Sequence, residues 1–164
     1  MTMRKFLRSY SGLDRSIYFL CLAQVVNSIG HFVHPFLTMF LTRKIGMDPV
    51  EAGTYVMLSA AVWVPGSLLG GKIADQIGRK RILVLFQSLA AAVLVPCAFL
   101  GVSRIIPWLL IGSSFLHGVA EPVNDAMITD LTVAEQRKGA FSLLYLSHNI
   151  GFALGPMIAG FLFN

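Results

Sequence analysis

Charged residues are scarce in this chain. They make up 13% of its 164 residues, about half the ~25% usual in soluble domains. Hydrophobic residues make up 55%, and mean hydropathy is +0.71. That balance excludes a disordered chain and argues against a soluble globular domain. Cysteine is also scarce, with Cys21 and Cys97 alone. Both lie in apolar runs, but at depths that do not match, so a disulfide is not expected. A zinc site needs more ligands at closer spacing, so no metal is expected. A Gly-x-Ser-x-Gly nucleophile turn is missing, which argues against a serine-type intramembrane protease and against an enzyme generally. No low-complexity segment occurs.

What the chain does have is long uncharged runs, over 16–42, 52–71, 82–103, 105–120 and 139–164. A helix needs about 20 apolar residues to cross the ~30 Å hydrocarbon core. Four runs reach that length and 105–120 falls short. The pattern predicts an all-α integral membrane protein with five transmembrane helices. They are expected over about 18–40, 52–73, 82–101, 106–128 and 140–162 of a single membrane domain covering 1–164. Too little chain is left between them for a soluble domain.

The 13 basic residues sit between these runs rather than on one soluble face, so the net charge of +5 is not a nucleic-acid signal. With a cytoplasmic N-terminus, Arg4, Lys5, Arg8, Arg15, Lys72, Arg79, Lys80, Arg81, Arg137 and Lys138 lie inside. Arg43, Lys44 and Arg104 lie outside. This bias sets the orientation and supports the short fourth span. The first 30 residues have the basic start of a signal peptide. Their apolar stretch exceeds the usual ~7–15 residues, however, and no A-x-A-like site closes it. A retained helix in a multi-pass plasma (inner) membrane protein is expected, with the lipid bilayer as its surroundings.

Small residues mark expected close helix contacts: Gly66 and Gly70 in span 2, and Gly151, Gly155 and Gly160 in span 5. Pro35, Pro65, Pro96, Pro122 and Pro156 sit inside spans, where each removes a backbone hydrogen bond and can bend its helix.

Ionisable residues inside spans are costly and are functional candidates. Span 1 carries Asn27, His31 and His34 on one face, and span 4 carries His117, Glu121 and Asp125 on one face. Span 5 carries Ser147, His148 and Asn149 near its inner third. Hydrocarbon disfavours a charged carboxylate, so Glu121 is a candidate to bind and release a proton. His117 lies one turn away as its candidate partner. Structural hydrogen bonding to a neighbouring helix competes with that role. Asp125 lies closer to the cytoplasm and is expected to partner Arg79 or Arg137. Two histidines in span 1 do not make a metal site. Trp108 suits the aromatic belt at the outer boundary, and Trp63 at mid-depth is expected to serve in packing, with a cavity role as the alternative.

The loop between spans 2 and 3 reads Gly71-Lys72-Ile73-Ala74-Asp75-Gln76-Ile77-Gly78-Arg79-Lys80-Arg81. Physically it is a tight turn in which Gly78 can take positive φ and Asp75 can pair with Arg79. Its basic residues suit the anionic inner leaflet. It resembles the signature loop of the major facilitator superfamily, G-x-L-a-D-r-x-G-R-K, matching at Gly71, Asp75, Gly78, Arg79 and Lys80, with Ile73 for the usual Leu. Asp130 and Glu135-Gln136-Arg137-Lys138-Gly139-Ala140 are similar to the family's loop between spans 4 and 5. Gly151-Phe152-Ala153-Leu154-Gly155-Pro156 with Gly160 resembles the span-5 glycine motif of its drug/proton antiporters. The chain departs from the exporter pattern in span 4, where Ser114 stands in the place of an Arg and His117 in that of a Gln.

The resemblance implies five spans of a six-span N-terminal half, with a C-terminal half missing as partner. It implies a proton-driven exporter of small molecules working by alternating access, without a bound cofactor. Spans 1, 4 and 5 would line the central cavity, making Asn27, His31, His34, His148 and Asn149 substrate-path candidates. Asp75 and Arg79 would latch the cytoplasmic side. An uptake symporter or facilitator is the alternative implied by the missing span-4 Arg. A five-span protein that assembles with another chain is a further one, and this chain alone is expected to transport nothing.

Overall fold

The computed structural model describes residues 12–30 and 33–162, the side chains of 33–36, 159 and 162 excepted. Among the described residues there are six α-helices and no strands: α1 (Arg15–Gly30), α2 (Val33–Arg43), α3 (Pro49–Ile77), α4 (Arg79–Leu94), α5 (Ile106–Asp130) and α6 (Ala134–Leu162). The span expected over 18–40 falls on α1 and α2, and residues 31 and 32 lie outside the described residues.

The starts of the helices follow from local chemistry. Asp48 accepts a hydrogen bond from the Val50 N–H at 2.8 Å, Pro49 opens α3, and Glu51 sits in its positive first turn. Asp14 accepts from the Ser16 N–H at 2.7 Å at the head of α1. α3, α5 and α6 continue through Pro65, Pro122 and Pro156. Pro96 behaves differently. It lies in a 3₁₀ turn (Val95–Ala98) that follows α4, and the Phe99 N–H closes onto the Pro96 carbonyl at 3.0 Å. α6 begins ahead of its apolar run, and Glu135 in its first turn is favourable against the helix dipole.

The chain divides into two compact units. In one, α1 and α6 pack together around Leu13, Ile17, Cys21, Ile128, Ala140 and Leu144. The other holds residues 34–126. There Leu37, Leu41, Met47 and Ala52 form a core against which Tyr55, Val56 and Leu110 pack. The Tyr55 and Trp108 rings meet edge to face at 5.5 Å. The Ser113 hydroxyl donates to the Ala90 carbonyl at 3.1 Å, tying α5 to α4.

The burial pattern of α3 is the reverse of a soluble helix. Its buried residues are Ala52, Ser59, Gly66, Gly70 and Ala74. Its large apolar side chains, Val50, Met57, Val64, Leu68, Leu69 and Ile77, are exposed. A helix in lipid does this, because lipid accepts large apolar groups and small residues let helices approach. Among the described residues, two helical segments are long and apolar enough to cross a membrane, Pro49–Ile77 and Arg79–Ala98. α5 and α6 have the length, but carry His117 and Glu121, and Ser147, His148 and Asn149, within it.

Candidate functional site

Three groups of polar residues take shape, one at a turn and two along helix pairs. At the turn between α3 and α4, Gly78 is the one connecting residue and has φ 107°. The Asp75 carboxylate accepts from Arg79 Nη2 at 3.4 Å across it. Arg79 Nη1 also donates to the Ala126 carbonyl at 2.8 Å, so the loop is fastened near the C-terminal end of α5. That carbonyl follows Asp125 directly in the chain. Lys80 and Arg81 are exposed, as is Arg137 in the first turn of α6, and Gly71 has open space around it.

The second group rests on a close crossing of α3 and α5. A methyl group at Gly66 would lie 2.6 Å from the Phe115 carbonyl oxygen, and one at Gly118 would lie 2.5 Å from that of Trp63. One at Gly70 would collide with the Val119 backbone. Three glycines therefore let two backbones touch along more than a turn. Three residues beyond Gly118, Glu121 reaches α3, where Trp63 Nε1–H donates to Glu121 Oε2 at 3.1 Å. His117 is half-buried one turn before Glu121, Ser114 and Asn124 are buried, and Asp125 is exposed. Sequence reasoning placed Trp63 in packing. Its polar role had one available signal, since an indole N–H in an apolar run needs an acceptor.

The third group joins α1 and α6. His148 Nδ1 lies 3.1 Å from the Ser28 hydroxyl and 3.4 Å from Gln24 Nε2, and Gln24 Nε2 donates to the Ser28 hydroxyl at 3.3 Å. The His148 ring stacks on Phe152 with centroids 6.3 Å apart. One turn from His148, a methyl at Gly151 would meet the Val25 carbonyl and Ser28 Cβ, so glycine sets this approach as well. Gln24 and Ser28 are the participants that sequence reasoning missed. Their spacing of four residues along one helix face was the signal. Asn27 is half-buried, and Asn149 is exposed and donates to the Tyr145 carbonyl at 2.7 Å. Gly155 is buried, Pro156 is half-buried, and Gly160 has open space around it. His31 and the side chain of His34 lie outside the described residues.

Both cysteines are free. Among the described residues no three His, Cys, Asp or Glu side chains gather as metal ligands would.

Comparison with known proteins follows the same lines. The family model of the Major Facilitator Superfamily matches residues 20–164. The chain is 31% identical over 128 residues to the uncharacterized MFS-type transporter YqjV of Bacillus subtilis (strain 168), covering 76% of this chain and 30% of that protein. It is 29% identical over 150 residues to the multidrug resistance protein MdtH of Salmonella typhimurium, covering 88% of this chain and 36% of that one. The chain thus spans about a third of the length of the curated relatives it matches. A helical chain with an inside-out apolar pattern, the signature turn at Gly71–Arg81, and a match over nearly its whole length lead to one conclusion: it belongs to the major facilitator superfamily, whose members are generally integral membrane transporters.

Proposed function

We propose that the whole protein is a proton-coupled exporter of small, amphipathic molecules, and that this chain supplies five spans of its N-terminal half with the N-terminus in the cytoplasm. The mechanism is alternating access, one helical half rocking against the other around a midplane site. The observation that carries the reading is an ionisable carboxylate within α5, Glu121, which stays exposed although it accepts from Trp63 Nε1–H at 3.1 Å. An ionisable group at that depth is expensive unless it has work to do. Glu121 is the proton carrier, with His117 beside it. Substrate meets the polar residues Asn27, His31, His34, His148 and Asn149. The Asp75–Arg79 turn, with Asp125 and Arg137 as its partner candidates, latches the cytoplasmic side. Gly151 gives α6 the close approach to α1 that a moving helix pair needs. The name of one relative, the multidrug resistance protein MdtH, supports export of drug-like compounds.

The test is Glu121→Gln in the full-length transporter, with pH-gradient-driven efflux of a fluorescent lipophilic dye measured in inverted membrane vesicles. Loss of gradient-driven efflux, with dye binding retained, is the expected result. Undiminished efflux would sink the carrier assignment. Uptake or facilitation is the second reading, favoured by Ser114, which stands buried where the exporter pattern has an Arg. In the same vesicles, whose inversion makes an exporter fill the lumen, it calls for gradient-driven release of dye from the lumen rather than accumulation in it.

A further inference from the structure

We propose that Trp63 is a positioning residue for Glu121: its indole N–H holds the ionised carboxylate against α3 and holds it less tightly once the proton arrives. The inference rests on the reading of Glu121 as proton carrier and deepens it.

Three observations support it. First, the bond is direct, from Nε1–H to Oε2 at 3.1 Å, between residues on two different helices. Second, its geometry is set by backbone rather than by long, adaptable side chains. Gly118 lies against Trp63 itself, and Gly66 and Gly70 lie against Phe115 and Val119, so the register of α3 on α5 is fixed at the level of Glu121. Third, the chemistry is one-sided. An indole nitrogen donates and never accepts. A carboxylate offers it a charged acceptor, and such bonds are the stronger kind. When hydronium gives its proton to a carboxylate oxygen, the hydronium O–H bond breaks as the carboxyl O–H bond forms, and a neutral water leaves. The neutral acid still offers the indole an acceptor oxygen, but without the charge that made the bond strong. Protonation therefore weakens one specific tie between α3 and α5.

Among the described residues of α3 and α5, the titratable groups along the chain from this pair can be named. On α5, His117 and Asp125 each lie about one turn from Glu121. On α3, residues 52–71 carry no charge, so Glu51 and Lys72 are the nearest charged groups along that helix.

The experiment uses the full-length transporter in liposomes, with Trp63 kept as the one tryptophan and Trp108 and any others replaced by Phe. Trp63 emission is followed from about pH 4 to pH 9, a window that spans ordinary carboxyl and imidazole titration. The expected result is one sigmoidal transition, retained in His117→Gln and Asp125→Asn and absent in Glu121→Gln. In a second measurement, Trp63→Phe keeps the ring and removes the donor. Gradient-driven transport should fall about five- to tenfold, the size of one lost hydrogen bond, and its pH profile should move, whereas Trp108→Phe should leave both unchanged. A flat emission, or a transition abolished by His117→Gln or Asp125→Asn instead, overturns the role of Trp63. With Glu121→Gln inactive, such a result removes this inference alone. An active Glu121→Gln removes the carrier reading, and this inference with it.

Discussion

At the residue scale, the glycines separate into those that touch another helix and those that do not. A Cβ at Gly70 would collide with the Val119 backbone, which cannot rotate away as a side chain can, while a Cβ at Gly160 would meet nothing within 4 Å. Gly70→Ala should therefore lower stability by about 1–3 kcal/mol, and Gly160→Ala should leave it unchanged. Thermal unfolding of the two variants in detergent measures the difference. Asp14 gives a pH-dependent counterpart outside the spans. Hydrogen bonds from Ser16 hold its carboxyl below the ordinary aspartate range. A depressed carboxyl favours the folded state above its unfolded value, and that contribution disappears as pH falls through the folded one. Fraying of the first turn of α1 should increase as pH drops below about 4, and Asp14→Ala, which removes the acceptor, should be frayed at every pH. Amide exchange at Ser16 and Ile17, each variant referred to its own unstructured rate, reads this out.

At the element scale, caps and turns decide where helices begin and end. Asp48 caps α3 through the Val50 N–H, with Pro49 behind it. Asp48→Ala should weaken the start of the helix by about 1 kcal/mol, seen as faster amide exchange over residues 50–53 with residues 66–74 unaffected. Proline was a less dependable guide. Pro65, Pro122 and Pro156 lie inside continuous helices, while Pro96 falls where α4 gives way to a 3₁₀ turn. The same residue type did both, because a proline lacks one donor and its neighbours determine whether the freed carbonyl is satisfied. The turn at Gly78 was legible from sequence, since one residue joins two long helices there and φ 107° suits glycine. That Arg79 reaches past Asp75 to the Ala126 carbonyl was not legible, because it needs the position of a third helix.

At the scale of the whole molecule, the orientation proposed from the basic residues has a direct test. With Cys21 and Cys97 replaced by Ser, Gln76→Cys should react with a membrane-impermeant maleimide from the cytoplasmic face alone, and Val102→Cys from the outer face alone. Labelling of both from one side would overturn the five-span arrangement. Sequence by itself determined the membrane setting, the helical class and the family. Long uncharged runs admit few alternatives in water, and the signature turn depends on residues close together in the chain. It also flagged Gly66, Gly70 and Gly151 as contact points, because small residues four apart mark a face wherever the partner lies. Tertiary structure decided what meets those faces. Trp63 donates to Glu121 across 58 positions, and His148 finds Ser28 across 120. Periodicity places each residue on a face of its own helix, but the register and rotation of one helix on another come from how their side chains and glycines interlock, and no single segment encodes that.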